Sequence, residues 1–130
     1  MLKEKALYYY MTLGKCCADS ILCAGNEEYG LNIAPDDLCL FTGFCGGMAC
    51  GDICGCLAGA IGVLSKKYAG RENFKEICKN FVSLFREELG CDSTLCAVLE
   101  PKYKTAELRC SITVGLAADA LSAYIAKLDA

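Results

Sequence analysis

Five cysteines, Cys39, Cys45, Cys50, Cys54 and Cys56, fall within one glycine-rich stretch that also holds Gly43, Gly46, Gly47, Gly51 and Gly55. The whole chain of 130 residues carries 12 cysteines and no histidine. Cysteine at this density points to a disulfide framework, a thiolate-bound metal or cluster, or a dithiol redox site. The absence of histidine removes Cys-His and Ser-His nucleophile pairs, histidine-ligated zinc and c-type haem attachment. What remains is chemistry that thiolates perform with carboxylates, lysines or backbone amides in support.

From Cys45 to Cys56 the pattern is Cys-x4-Cys-x3-Cys-x-Cys, with Gly46, Gly47, Gly51 and Gly55 interleaved. The spacing is of the kind that wraps an iron-sulfur cluster, although it matches neither of the familiar ferredoxin runs. Glycine lets the backbone take positive φ and turn its N–H groups toward cluster sulfurs, offsetting thiolate charge. Gly46, Gly47, Gly51 and Gly55 are therefore the candidate cofactor-binding glycines, and Cys45, Cys50, Cys54 and Cys56 candidate ligands. A helix beginning at Cys54 would add a positive dipole end and lower a thiol pKa there. The plainer reading, cysteine as a small buried residue, suits Cys23, Cys39 and Cys78 at core-like positions. Cys16 and Cys23 share a helix face, while Cys17 points about 100° away from Cys16. Asp52 reads as a helix N-cap rather than a proton donor.

These residues need a scaffold, and periodicity supplies it. Leu7, Tyr10, Met11, Leu13, Cys17, Ile21 and Ala24 predict one amphipathic helix over about Lys3 to Asn26, with Gly25 and Gly30 as candidate stops. Pro35, Asp36 and Asp37 open a short second helix, to about Thr42. A third is expected over Cys54 to Tyr68, with Gly55, Gly59 and Gly62 forming a face without side chains. Each glycine there costs about 1 kcal/mol against alanine, so close approach of a backbone or a cofactor should repay it. A fourth helix is expected from Arg71 to Leu89, with Phe74, Ile77, Phe81 and Phe85 along its apolar side. A helical turn after Cys96 should stop near Pro101, and a last helix should run from Thr105 to Lys127. No strand alternation is present. The expected fold is all-α, a single-domain bundle of four to five helices spanning residues 1–130, with the Gly/Cys-rich loop between helices 2 and 3.

A net charge of −3 argues against a nucleic-acid partner. The apolar run Gly55–Leu64 is about half the length a bilayer requires, and the C-terminal one is interrupted by Asp119, so no membrane span is expected. The N-terminus lacks the pattern of a secretory leader, which predicts a cytoplasmic protein. Tyr8, Tyr9 and Tyr10 point in three directions on a helix and leave room for a homodimer contact.

Cys54-Gly-Cys-Leu-Ala-Gly59 resembles the Cys-Gly-Ala-x-x-Gly signature of the C_GCAxxG_C_C family of redox-active proteins. Phe44-Cys-Gly-Gly-Met48 is similar to that family's Phe-Gly-Gly-Gly-Met, and Cys17-Ala-Asp-Ser-Ile-Leu22 to its N-terminal cysteine segment. Leu95-Cys-Ala-Val-Leu99 and Arg109-Cys110 resemble its two C-terminal cysteine segments. The resemblance implies that Cys17, Cys54, Cys96 and Cys110 are the family cysteines. It also implies redox activity, since a similar domain lies beside haems in split-Soret-type cytochromes, where an iron-sulfur centre is associated with it. Here Cys56 stands for the signature's alanine, Cys45 for a glycine, and Cys50 is a further addition. All three add thiolates to one loop, as a larger or second cluster would need. The reading is an iron-sulfur protein of an anaerobic-type metabolism, carrying electrons to a redox partner protein, with Cys17, Cys45, Cys50, Cys54, Cys56, Cys96 and Cys110 as ligands. The alternatives are a metal-free dithiol oxidoreductase or thiol sensor using Cys54 with Cys50 or Cys56, and a structural zinc protein with four-thiolate sites.

Overall fold

The apolar recurrence over residues 3–26 does not become one helix. In the computed structural model, which describes residues 1–130, it folds as α1 (Leu2–Leu7), continued by a wider turn over Tyr8–Thr12, and α2 (Cys17–Tyr29). Gly14 takes a left-handed conformation (φ 70), and Cys16 is extended at the start of α2, so the chain changes direction between them. The two halves need different directions because α1 packs against α6 while α2 packs against α3. Of the two candidate stops, Gly30 ends α2 in the left-handed region, whereas Gly25 lies inside it against Val63.

The expected second helix is replaced by two single turns of 3-10 helix, Pro35–Asp37 and Thr42–Phe44. Leu40 between them is 70% exposed, and only Leu38 and Phe41 pack partly against the core, too little to hold a longer helix in place. Then follow α3 (Gly55–Tyr68), α4 (Phe74–Leu89), α5 (Cys96–Tyr103) and α6 (Ser111–Asp129). In α4 the buried residues Ile77, Phe81, Phe85 and Leu89 recur every fourth position and Gly90 closes the helix, as the periodicity predicts. The all-α expectation holds, with six α-helices rather than four or five; only isolated bridges, Ile53 to Leu95 and Thr105 to Arg109, have strand character.

Two boundaries move. Pro101 sits inside α5 instead of ending it. Lys102 and Tyr103 beyond it donate to the last carbonyls of α4, Leu89 and Gly90, and these bonds hold the final turn of α5 in place. Helix α6 begins at Ser111, six residues later than expected, because Arg109 turns the chain at a positive φ of 51 and closes a loop back onto Thr105.

The glycine face of α3 is where α2 comes in. A Cβ on Gly59 would lie 2.6 Å from the backbone oxygen of Ala18, and one on Gly55 would lie 2.5 Å from the sulfur of Cys17. Gly62 receives the ring of Phe41. A cluster of 26 buried residues, including Ile21, Leu64, Phe81, Phe85 and Leu121, fills the space between α1, α2, α3, α4 and α6. Helix α6 has the length and hydropathy of a membrane span, and 56% of that stretch is buried in this core.

Candidate functional site

Four helices start at a cysteine, and all four cysteines line one cavity. Cys17 is the first residue of α2, Cys54 the residue that caps α3, Cys96 the first of α5 and Cys110 the cap of α6. The cavity measures ≈ 290 Å³. None of these helix starts has a side-chain cap, and at α2 and α3 first-turn N–H groups reach the sulfurs of Cys17 and Cys54.

The thiols sense one another around a ring. Cys54 feels the charge of Cys17, Cys96 that of Cys54 and Cys110, and Cys110 that of Cys17. Cys56, fully buried, lies between Cys17 and Cys54 and can give its one S–H hydrogen bond to either sulfur. That bond is the main reason the Cys17 thiol is pulled down to about 7, assisted by the backbone N–H groups of Gly46 and Ala18 and opposed by burial. Cys54 is lowered in the same way, by Cys56 first and then by the N–H groups of Cys56 and Leu57 in the first turn of α3. With its single proton shared between two neighbouring sulfurs, Cys56 is held in its protonated form, well above its ordinary value.

On the opposite wall, burial pushes Cys96 up to about 12, and the Glu100 carboxylate that accepts its S–H at 3.2 Å adds to the shift. Cys110 is raised by burial. Its backbone N–H donates to the hydroxyl of Tyr10 at 3.0 Å, while Arg109 stacks on the Tyr10 ring and donates to the Tyr10 carbonyl. Lys15, Lys104 and Arg109 bring positive charge to the cavity wall, against the single carboxylate of Glu100.

The glycines divide into two groups. Gly46 and Gly55 line the cavity; Gly46 supplies an N–H to Cys17, and Gly55 leaves room for that sulfur. Gly47 and Gly51 instead seat the loop on α5, where a Cβ would lie 2.7 Å from Cys96 Cβ and 2.9 Å from Ala97 Cβ. Gly46, Gly47, Met48 and Ala49 all have positive φ. This left-handed turn is strained at Met48 and Ala49, which lack glycine's freedom, and such strain concentrates at functional segments.

Of the seven cysteines named from the sequence as ligands, Cys17, Cys54, Cys56, Cys96 and Cys110 line the cavity as free thiols. Cys45 also lines it but is bonded to Cys16, across 29 residues of sequence. Cys50 is exposed, outside the lining, with its S–H directed at the Gly47 carbonyl. Cys54 itself, not Asp52, caps α3; the Asp52 carboxylate accepts the N–H of Ile53, and its carbonyl that of Cys96. Sequence reasoning did not single out Tyr10, Arg109 or Cys16 for this site. Only the adjacency of Cys16 to Cys17, and of Arg109 to Cys110, carries a trace of them in the sequence.

A family profile described as "Putative redox-active protein (C_GCAxxG_C_C)" matches residues 15–124. No curated protein and no solved structure matches the chain. The matched span takes in all four helix-start cysteines and the loop that packs over them, and the chain belongs to the C_GCAxxG_C_C family.

Proposed function

We propose that this chain is an iron-sulfur redox protein in which Cys17, Cys54, Cys96 and Cys110 hold the cluster. The observation that carries the reading is the convergence of four cysteine-bearing helix starts on one cavity of ≈ 290 Å³. The donor set fits the group. Thiolates are the ligands that iron-sulfur clusters use, and their negative charge is offset here by four helix dipoles, the N–H of Gly46 and three cationic side chains. Such a cluster supplies one-electron transfer over a wide range of potentials.

The chain's own residues have distinct parts in this reading. Cys17 and Cys54 are poised toward the thiolate form. Cys96 and Cys110 must give up protons on loading, with Glu100 as the acceptor beside Cys96. Cys56 has one S–H to donate, to the sulfur of Cys17 or of Cys54. Tyr10 and Arg109 fix the start of α6, and with it Cys110.

Zinc fits less well. Four Zn–S bonds of about 2.3 Å place sulfurs about 3.8 Å apart. The only three ligand atoms lying within 4.8 Å of one another are those of Cys16, Asp19 and Cys45, so the four family thiols are spread more widely, as a multinuclear group requires. In this reading the protein works in the cytoplasm with a redox partner protein.

The test is iron and acid-labile sulfide content, with a visible spectrum, on protein prepared without oxygen. Iron and sulfide near four per chain are expected in the wild type and in Cys78→Ser, and loss of most of both in Cys54→Ser. Equal iron in the two variants, or colourless wild-type protein, would refute the assignment.

A further inference from the structure

We propose that Cys16 and Cys45 form a reversible thiol-disulfide exchange site on the rim of the cavity, a two-electron couple separate from the family's four cysteines. It goes beyond the cluster reading and does not depend on what the four cysteines hold.

The bond joins the residue just before Cys17 to the residue just before Gly46, with Cα atoms 6.1 Å apart. Both cysteines are partly exposed, in contrast to buried Cys54, Cys56 and Cys96, so an external thiolate can reach either sulfur. The bridge does not serve the core: the 26-residue buried cluster includes neither half-cystine. On each side the backbone has room to give. Gly14 and Gly46 both take positive φ, and a side chain at either would meet nothing within 4 Å. A domain this size does not depend on a cross-link for stability, and a disulfide at an accessible, hinged position is of the labile kind.

The exchange balances as follows. An external thiolate attacks one sulfur, the S–S bond breaks, a mixed disulfide forms and the other cysteine leaves as a thiolate that takes a proton. A second external thiol resolves the mixed disulfide. The net reaction is protein disulfide plus two thiols giving protein dithiol plus the external disulfide. On the return path the two thiol protons pass through solvent to the departing external thiolates; the Asp19 carboxylate, which accepts from the Thr42 hydroxyl, lies within 4.8 Å of both sulfurs.

The state of the bond reports on the cavity. It ties the glycine loop to the start of α2, the arrangement that places the Gly46 N–H on the Cys17 sulfur. Opening it releases that tether without removing any of the four family thiols.

The experiment is a titration of the anaerobic native protein with reduced and oxidised glutathione, followed by alkylation and peptide mass spectrometry. The Cys16–Cys45 disulfide is expected to fall from above nine-tenths to below one-tenth over about a hundredfold change in [GSH]²/[GSSG], and to return on reversal. Cys45→Ser and Cys16→Ser should abolish this transition; because it is read by peptide mass spectrometry and not by metal content, failure here is distinguishable from failure of the cluster reading. A pair that stays bonded at every ratio in folded protein, or one that is alkylated throughout, would overturn the proposal. Should either variant fail to fold, the wild-type titration decides alone.

Discussion

The backbone N–H of Gly46 hydrogen-bonds the sulfur of Cys17. The two residues come from segments almost thirty positions apart, and the residue before each, Cys45 and Cys16, is bonded to the other. One loop thus tunes a thiol at the start of a helix in a different part of the chain.

That tuning has a pH signature in metal-free protein. Cys17 is brought from 9.0 to about 7 by the Cys56 hydrogen bond and the backbone amides, so its alkylation should be half-maximal near pH 7. A thiol whose folded pKa is depressed contributes stability that is full above its unfolded value and is lost as pH falls through its folded value. Stability should therefore rise from pH 7 to 9, by on the order of 2 kcal/mol. Above pH 9 the sign reverses, because Cys96, Cys110 and Cys56 are raised and resist the ionisation that the unfolded chain welcomes. Urea midpoints across this range should peak near pH 9; a monotonic fall from pH 7 upward would contradict the assignment.

Cys56 and the family's alanine at that position give a clean substitution. If Cys56 donates to ligands rather than binding metal, Cys56→Ala keeps the iron content of the wild type. Loss of the S–H hydrogen bond to a ligating sulfur should then make the reduction potential more negative. A protein-film or dye-mediated redox titration reads this shift directly. Loss of iron in the variant would instead make Cys56 a ligand.

Tyr10 is the acceptor for the N–H of Cys110. Tyr10→Phe keeps the ring that Arg109 stacks on and removes only the hydroxyl, leaving a part-buried donor without its partner. The expected loss is about 1–2 kcal/mol in chemical denaturation, together with faster release of metal to a chelator. Unchanged stability and release would show that the start of α6 is held by Arg109 alone.

Gly59 meets the backbone oxygen of Ala18. Alanine is the better helix former by about 1 kcal/mol, yet at 2.6 Å the added methyl must push α2 away from α3. The net effect of Gly59→Ala should be destabilising, by up to about 2 kcal/mol once the propensity gain is subtracted from the overpacking penalty. A rise in the denaturation midpoint would mean that α2 yields without cost.

The all-α class, the course of α3 and α4 and the family could all be read from the residues in order. They rest on local period: the fourfold recurrence from Ile77 to Leu89 and the Cys54-Gly-Cys motif are complete within a turn or a few turns. Even the purpose of the α3 glycines was legible, since glycines at spacings of three and four on a helix have little other use than close approach. The break at Gly14 was not, because the apolar spacing from Leu7 to Ala24 continues across it; the break follows from α1 and α2 having different partners. The late start of α6 was hidden too, since a left-handed Arg109 is imposed by the loop it closes and by its stacking on Tyr10, and residue type carries no sign of either.

The sequence by itself determined which cysteines belong to the family pattern and that helices would carry them, because capping, periodicity and motif spacing act over a few residues. Only the tertiary structure decided that four helix starts share one cavity, that Cys16 pairs with Cys45 at its rim, that Cys56 lies as a donor between Cys17 and Cys54, and that Cys50 faces outward. These are relations between segments far apart in the chain. They depend on the directions in which packed helices cross, and no local spacing encodes those directions.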